Sequence, residues 1–370
     1  MNRRKFLHGM MWGGGVSALI GAQVAVLKFR ASRPKMEIPA VYVDPLGAPD
    51  RDVRTIAFSL TGNQLVSVAA DRKVSIWDPA TEKIIVEQLS PIRGGASDVS
   101  FFGDRGWLAA IEEETFLSIW NSGKEDKPEL FRLDSPPKAV AFCPILTGPY
   151  RACTLVAVAL EDHSVRVFER NTNGVGGTVN SGCCGGHISS NHEGFAPTQA
   201  LRPNYGGATS LSFSRNGQFL AVGGHESVQI WHTRDWVRLI ALAGHKGRIG
   251  GVAFSPDGSL LAAGMEDGSI AVWDWQKYSR TATLDGDGDG AADLVFCDGN
   301  DWIIAGYASG AIKMWPRRDT GIGLVVAKNL GKHTSIAISA DGRYFASSWG
   351  KTVKFWNTSD LEAKARKEFG

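Results

Sequence analysis

The stretch VAFSPDGSLLAAGMEDGSIAVWD, residues 252–274, decides the fold. It consists of three short apolar runs that are separated by turns at Asp257-Gly258 and Asp267-Gly268. Such runs between Asp/Gly turns are typical of β-strands joined in a meander, because glycine supplies the backbone conformations that tight turns need. The stretch therefore predicts three consecutive antiparallel strands, and the third of them ends at Trp273-Asp274.

The same unit recurs along the chain. Residues 54–78 repeat the order of runs and turns and end at Trp77-Asp78. An aromatic residue closes the third predicted strand of each unit, at Trp77, Trp120, Phe168, Trp231, Trp273, Trp315 and Trp356. Their spacings are 43, 48, 63, 42, 42 and 41 residues. A recurring period of this length indicates a repeat architecture. The sequence therefore predicts seven units, of which the third carries an insertion.

The repeat resembles the WD-repeat family, whose period is about forty residues with four strands in each blade. Gly244-His245, Asp267 and Trp273 stand in the positions of the family pattern, although only two units keep the literal Trp-Asp pair. The resemblance covers roughly residues 37–360. It implies an all-β fold, a seven-bladed β-propeller of four-stranded antiparallel blades, because a closed ring removes exposed sheet edges. It also implies that His245 orders its blade through hydrogen bonds toward Asp267 and Trp273.

The two ends of the chain predict how the ring closes. Residues 361–370, after the last unit, are strongly charged, and we expect a polar tail there instead of a strand. Residues 37–44 contain the alternating run Val41-Tyr42-Val43 and precede the first unit without belonging to one. In WD-repeat proteins the N-terminal strand completes the last blade, and the resemblance implies the same closure here.

The first thirty residues predict a targeting segment, because a charged start is followed by an apolar run over residues 10–27. The start resembles the twin-arginine export signal of bacteria, on the residues Arg3, Arg4, Phe6 and Leu7. The apolar run is also long enough to remain as a membrane-spanning anchor. Cleavage and retention stay open. Either outcome predicts that the protein lies in the periplasm or at the outer face of the cytoplasmic membrane of a bacterium.

One loop predicts a metal site. Its sequence, DGDGDGAAD, spans residues 285–293 and has carboxylates at its first, third, fifth and ninth positions. Calcium prefers six to eight oxygen ligands, and glycines let a short loop wrap around the ion. The loop is similar to the nine-residue calcium loop of integrin-type propeller repeats. This resemblance implies a structural calcium ion, with the side chains of Asp285, Asp287, Asp289 and Asp293 and the carbonyl of Ala291 as ligands. The alternative is a solvated Asp/Gly turn.

The insertion of the third unit, residues 171–192, contains Cys183, Cys184, His187 and His192. Two thiols and two imidazoles suit zinc or copper. In an exported protein the same cysteines can instead form disulfides. A glycine-rich loop with neither metal nor disulfide is the third alternative. Cys143 and Cys153 bracket a predicted hairpin connection and are candidates for a disulfide, whereas Cys297 is interpreted as a core residue.

Composition and motifs favour binding over catalysis. The net charge is +2 with acidic and basic residues interleaved, which does not predict a nucleic-acid surface. The chain has no local catalytic signature of the G-x-S-x-G type. The leading hypothesis is a non-catalytic scaffold that binds other proteins in the bacterial cell envelope. The competing hypothesis is a metal-dependent periplasmic enzyme or redox partner that uses the Cys183–His192 segment.

Overall fold

The computed structural model describes residues 52–59, 62–89, 96–102, 106–112, 115–122, 128–144, 154–171, 179–180, 187–188, 194–203, 207–286, 288–297, 301–317, 323–328 and 335–369. These residues all lie in one compact unit, Ile38–Gly370. The predicted targeting segment, the predicted strand at 41–43 and most of the insertion lie outside them. No helix within the described ranges is long and apolar enough to cross a membrane.

The strands pair in chain order into antiparallel sheets. Sheet 1 contains β1 (Val53–Phe58), β2 (Leu65–Ala69), β3 (Lys73–Asp78) and β4 (Lys83–Leu89). Sheet 2 contains β5 (Ala96–Phe102), β6 (Trp107–Glu112), β7 (Phe116–Asn121) and β8 (Glu129–Arg132). Sheet 3 contains β9 (Pro137–Phe142), β10 (Thr154–Leu160), β11 (Val165–Asn171) and β14 (Gly194–Leu201), with a small ladder of β12 (Val179–Asn180) and β13 (His187–Ile188) between the last two in sequence.

The next two sheets share one long strand. β15 (Ser210–Phe213), β16 (Phe219–Gly223) and β17 (His225–His232) pair with the first half of β18 (Val237–Phe254) and form sheet 4. The second half of β18 pairs with β19 (Leu260–Met265), which continues into β20 (Ile270–Asp274) and β21 (Ser279–Leu284) as sheet 5. Sheet 6 contains β22 (Ala291–Phe296), β23 (Trp302–Tyr307), β24 (Ile312–Pro316) and β25 (Leu324–Ala327).

Sheet 7 has three strands among the described residues, namely β26 (Ser335–Ile338), β27 (Tyr344–Trp349) and β28 (Thr352–Asn357). The first strand of each sheet packs against the first strand of the next, and β1 also packs against β26 and β27 of sheet 7. The backbone N–H of Val53 donates to the carbonyl of Gly350 at 2.6 Å, which joins sheet 1 to sheet 7. Four-stranded antiparallel sheets arranged in this way fit a β-propeller.

The core is distributed between neighbouring sheets. The second strands β2, β10, β19 and β23 are buried along their whole length. A strand covered on both faces favours a continuous apolar run, which is what the sequence shows at these positions. One apolar cluster joins Val66 of sheet 1 to Trp120 of sheet 2, and another joins Trp77 of sheet 1 to Val353 of sheet 7. Each sheet therefore depends on its neighbours for burial.

The turns between first and second strands repeat one hydrogen-bond pattern. In sheet 5 the hydroxyl of Ser255 donates to Asp257 Oδ1 at 2.6 Å and accepts from the N–H of Leu260 at 2.9 Å. Gly258 then takes a φ of +72°, a conformation in which glycine has no steric cost. Sheets 4 and 7 repeat the same bonds from Ser214 and Ser339. This pattern explains why the sequence marks these turns with Ser and Asp/Asn-Gly.

A helix follows the last strand, where the sequence suggested only a polar tail. Helix α1 spans Thr358–Phe369, and the side chain of Asn357 caps its start by accepting from the N–H of Ser359 at 3.0 Å. Leu361 and Ala365, one helical turn apart, are buried in the core of sheets 6 and 7. Two apolar residues in a charged segment are a weak signal, and the helix depends on the core that the sheets provide.

Candidate functional site

The seven aromatic residues of the repeat all lie on third strands, as the periodicity predicted. Three of the indoles donate to partners inside the fold. Trp77 Nε1 donates to the hydroxyl of Ser67 at 2.8 Å, and Trp356 Nε1 donates to Ser347 at 3.2 Å. Trp273 Nε1 donates to His245 Nε2 at 3.2 Å. These indoles anchor the third strands, which is a structural function.

His245 is held as a buried acceptor for Trp273. Burial is the main cause that lowers the pKa of His245 to about 4, and the nearby guanidinium of Arg280 acts in the same direction. The imidazole is therefore neutral at pH 7. Asp267 does not bond to His245, since its carboxylate accepts from the N–H and the hydroxyl of Ser269 within its own turn. The expected contact toward Trp273 is present, whereas Asp267 stabilises the turn locally.

The predicted calcium loop is described except for Asp287. Asp285 is exposed, and Asp289 Oδ1 accepts from the N–H of Gly290 at 3.0 Å. Asp293 Oδ2 accepts from the N–H of Ile336 in sheet 7 at 3.1 Å, and Ala291 begins β22 as a buried residue. Within the described part of the chain, no three His, Cys, Asp or Glu side chains gather as a metal site. The calcium site stays a prediction, and Asp293 has a second role between two sheets.

The other predicted ligands lie largely outside the described residues. Cys183, Cys184, His192 and the export residues Arg3, Arg4, Phe6 and Leu7 are not among them, and only the backbone of His187 is described, in β13. The thiol of Cys143 is buried and donates to the carbonyl of Gly217 at 3.6 Å, while Cys153 lies outside the described ranges. Cys297 is buried in the core of sheets 6 and 7.

Neighbouring sheets are joined by a set of hydrogen bonds that no sequence motif indicates. Side chains on the first strand of one sheet accept from backbone N–H groups on the first strand of the next. Asp98 Oδ2 accepts from Val140 at 2.9 Å, and the hydroxyl of Ser210 accepts from Val252 at 3.1 Å. Ser100, Ser212 and Asp293 accept in the same way from Phe142, Phe254 and Ile336. Each donor follows its acceptor by 42 or 43 residues, one repeat.

Two of these acceptors are carboxylates whose pKa values lie above the ordinary value. Burial raises the pKa of Asp98 to about 6, against the bonds from Val140, Val99 and Thr55 that lower it. Burial raises the pKa of Asp293 to about 7, and the negative charge of Asp98 adds to the shift. The charge of Asp98 on the first strand of sheet 2 therefore acts on Asp293 on the first strand of sheet 6.

The exposed apolar side chains lie on the fourth strands or directly before them. Among the described residues, the large apolar side chains that are exposed are Ile85, Val86, Leu130, Val237, Leu239 and Tyr278. Val237, 53% exposed, and Leu239, 50% exposed, both lie on the first half of β18, and Tyr278, 58% exposed, contacts the same strand. The hydroxyl of Tyr278 donates to the carbonyl of Ala241 at 3.4 Å, which holds the ring beside the edge of β18.

Two arginines flank these apolar residues. Arg234 lies in the turn before β18 and Arg238 lies between Val237 and Leu239, and both are exposed. We call the five residues Arg234, Val237, Arg238, Leu239 and Tyr278 the rim patch. The first half of β18 is the outermost strand of sheet 4, so the backbone groups of its outer edge face away from the sheet. A basic and apolar sheet edge of this kind suits the binding of an extended segment of another chain.

Comparison with known proteins supports the repeat architecture. The family model "WD domain, G-beta repeat" matches residues 42–78, 196–232, 236–274 and 327–357. The small ribosomal subunit protein RACK1y of Oryza sativa subsp. japonica is 28% identical over 180 residues, which cover 45% of this chain and 49% of the rice protein. The chain thus spans about half the length of this relative. The repeats and the antiparallel four-stranded sheets together support a WD-repeat protein with an all-β fold that fits a β-propeller.

Asp293→Asn is expected to flatten the dependence of stability on pH. The folded-state pKa of about 7 lies above the ordinary value of 3.8, so this carboxyl stabilises the fold when protonated. That stability is present below about pH 4 and is lost as the pH rises through 7. Asparagine keeps an oxygen acceptor for Ile336 without ionising. Thermal melts at pH 4, 6 and 8 measure the effect, with the exposed Asp52→Asn as control. Equal pH slopes in Asp293→Asn and the unmodified chain contradict the assignment.

Proposed function

We propose that this WD-repeat protein is a non-catalytic scaffold that binds other proteins, and that the rim patch is one of its binding surfaces. The observation that carries the proposal is the grouping of Val237, Leu239 and Tyr278, which are all at least half exposed, beside two arginines. Exposed apolar side chains that cluster with arginine are typical of sites where other proteins bind. The rice relative is named a small ribosomal subunit protein, a component of a larger assembly, which agrees with a binding role.

The chemistry of the rim patch defines the partner. Arg234 and Arg238 favour carboxylates, and the apolar side chains between them favour Leu or Phe. The carbonyls of Ala241 and Gly244 on the outer edge of β18 already accept from Tyr278 and Arg280, so an extended backbone would pair with the part of this edge that precedes Ala241. We therefore assign to the rim patch a partner segment that is extended and alternates acidic with apolar residues. The other fourth strands lack this grouping of arginines with three exposed apolar residues among the described residues.

We further propose that the ring has seven blades and that residues 41–43 supply the fourth strand of sheet 7. The seven aromatic positions and the packing of β1 on β26 and β27 support this arrangement. The family-model match that begins at residue 42, eleven residues before β1, also agrees with a strand in this segment. A closed ring buries both faces of every sheet, which favours a rigid platform.

Binding of a peptide tests the role of the rim patch. The probe is a fluorescent peptide that alternates Glu with Leu, and the matched peptide replaces Glu by Lys. Arg238→Glu is expected to weaken the binding of the acidic peptide at least tenfold, about 1.4 kcal/mol in binding free energy, because it replaces electrostatic attraction by repulsion. Leu130→Ser, at the 56% exposed Leu130 of sheet 2, is the control and is expected to change nothing. Anisotropy titrations measure both. Equal affinity for the two peptides, or an unaffected Arg238→Glu variant, refutes the assignment.

The proposed place of action is the bacterial cell envelope, at the periplasmic side of the membrane. This proposal is supported by Arg3-Arg4 before an apolar run, as in twin-arginine signals. Replacing both arginines by lysine is expected to leave the protein in the cytoplasm of a bacterial host, since this pathway recognises the arginine pair. Immunoblots of periplasmic, membrane and cytoplasmic fractions measure the distribution. The change Lys5→Arg is the control. Unchanged export of the double lysine variant rules out this route.

We also propose that residues 285–293 bind a structural calcium ion, on the spacing of their carboxylates. Asp293 already accepts hydrogen bonds from Ile336, Leu294 and Ser335, so a bound ion would share this carboxylate with the junction of sheets 6 and 7. A bound ion is expected to raise the melting temperature in calcium over that in chelator. Asp285→Asn with Asp287→Asn is expected to abolish this difference, while Asp257→Asn in another turn keeps it. A melting temperature that does not change with calcium indicates that the loop is a solvated turn.

The alternative redox function depends on Cys183, Cys184 and His192, which lie outside the described residues.

A further inference from the structure

Tyr278 has a backbone conformation that costs free energy. It lies in the turn between β20 and β21 with a φ of +59°. In this left-handed region the Cβ atom of an ordinary side chain crowds the backbone, so glycine and asparagine are the residues that adopt it readily. Strain of this kind persists where the surrounding structure or a function compensates for it. The question is therefore which contact compensates for the strain at Tyr278.

Two other sheets have a non-glycine residue in this conformation at the equivalent turn, and in both the fold supplies the compensation. Trp236, directly before β18, has a φ of +55°, and its ring is buried in the apolar cluster between sheets 3 and 4. Glu82, directly before β4, also has a φ of +55°, and its negative charge stabilises the buried ammonium of Lys354. Burial or charge within the chain thus accounts for these two side chains.

The Tyr278 side chain is not buried in this way. Its ring is 58% exposed, and the hydroxyl donates to the carbonyl of Ala241 at 3.4 Å, longer than a strong O–H···O bond. An exposed hydrogen bond of this length contributes little to stability. The strain at Tyr278 therefore exceeds what these contacts offset, which is typical of residues that serve binding.

The turn nevertheless holds Tyr278 in a fixed place. Asp274 closes the turn by accepting from the backbone N–H of Lys277 at 3.1 Å, and its other oxygen accepts from Lys277 Nζ at 2.7 Å. The Tyr278 hydroxyl occupies the carbonyl of Ala241 on the outer edge of β18. A strand that is added to this edge before Ala241 therefore ends at the Tyr278 ring.

We propose that Tyr278 is the anchoring residue of the rim patch, and that its ring packs against the last apolar side chain of the partner segment. The inference rests on the proposed function and names the residue that sets the register of the partner. A ring that is held rigidly before binding loses little entropy in the complex, and tyrosine is enriched among the residues that dominate binding energy. A register determinant is needed because a shift by one residue exchanges the acidic and apolar faces of the segment.

Replacement of Tyr278 by asparagine tests the anchoring role, because asparagine adopts a positive φ readily and has no ring. Tyr278→Asn is expected to bind the fluorescent Glu/Leu peptide at least tenfold more weakly. It is also expected to lower the unfolding equilibrium constant at least threefold, since the strain is relieved. Anisotropy titrations and urea melts of the full chain measure the two effects. Unchanged affinity, or a loss of stability, overturns the proposal.

Glu226→Asn is the matched control for the relief of strain. Glu226 has a φ of +69° at the bulge of β17, is exposed, and does not belong to the rim patch. Its replacement is expected to raise stability in the same direction and to leave peptide affinity within twofold of the unmodified chain. A loss of affinity in Glu226→Asn equal to that in Tyr278→Asn assigns the effect to the backbone and overturns the role of the ring.

Tyr278→Phe separates the ring from the hydroxyl. It keeps the ring and removes the bond to Ala241, and it is expected to bind the peptide within threefold of the unmodified chain. A Tyr278→Phe variant that binds as weakly as Tyr278→Asn shows that the hydroxyl acts in binding, and it overturns the proposed packing of the ring.

Two modified peptides locate the contact. In each of them the Leu nearest one end of the Glu/Leu peptide is replaced by alanine. One of the two is expected to bind the unmodified chain at least fivefold more weakly than the parent peptide does, and to bind Tyr278→Asn as the parent peptide does, because the ring that it lacks is already absent there. Equal losses in both proteins with both peptides overturn the contact.

Arg238→Glu distinguishes this inference from the proposed function. If Arg238→Glu weakens peptide binding and Tyr278→Asn does not, the rim patch is a binding surface and Tyr278 is not its anchoring residue. If neither variant weakens binding, the proposed function of the rim patch and the anchoring role are both refuted.

Discussion

The hydrogen bonds between the first strands of neighbouring sheets are the constraint on which the arrangement depends. Asp98, Ser210 and Asp293 each accept from a backbone N–H that lies one repeat further along the chain. A buried N–H without an acceptor is costly, so these side chains satisfy groups that the antiparallel ladders leave free. Because donor and acceptor belong to different sheets, the bonds set how closely and at what angle adjacent sheets meet.

This constraint divides the molecule into an inner and an outer zone. The first and second strands are used in sheet contacts and carry the buried core, while the fourth strands contact their own sheet on one side and solvent on the other. Substitutions on the outer strands can therefore create binding surfaces without disturbing the contacts between the inner strands. The part of the rim patch on β18 belongs to this outer zone.

The carboxylates of the inner zone add an electrostatic element. Asp98 and Asp293 accept a backbone N–H of the next sheet with a carboxylate, whereas Ser210 does so with an uncharged hydroxyl. Burial of a carboxylate disfavours its ionised form, which is why both pKa values are raised. Asp293 also lies in the loop for which calcium binding is predicted, and its observed role is at the junction of sheets 6 and 7.

The sequence by itself determined the order of the strands, the turns between them and the positions of the third-strand aromatic residues, because period, glycine turns and apolar runs are local signals. The same local reading identified Trp273 and His245 as partners through the family pattern. It did not indicate that Asp267 accepts a hydrogen bond from Ser269 within its own turn. Nor did it indicate that Leu361 and Ala365 pack a helix against the core, or that Asp98 and Asp293 form hydrogen bonds between sheets. Those features depend on which groups meet across one repeat or more, and only the tertiary structure decides which acceptors face unpaired donors and which apolar faces find a core.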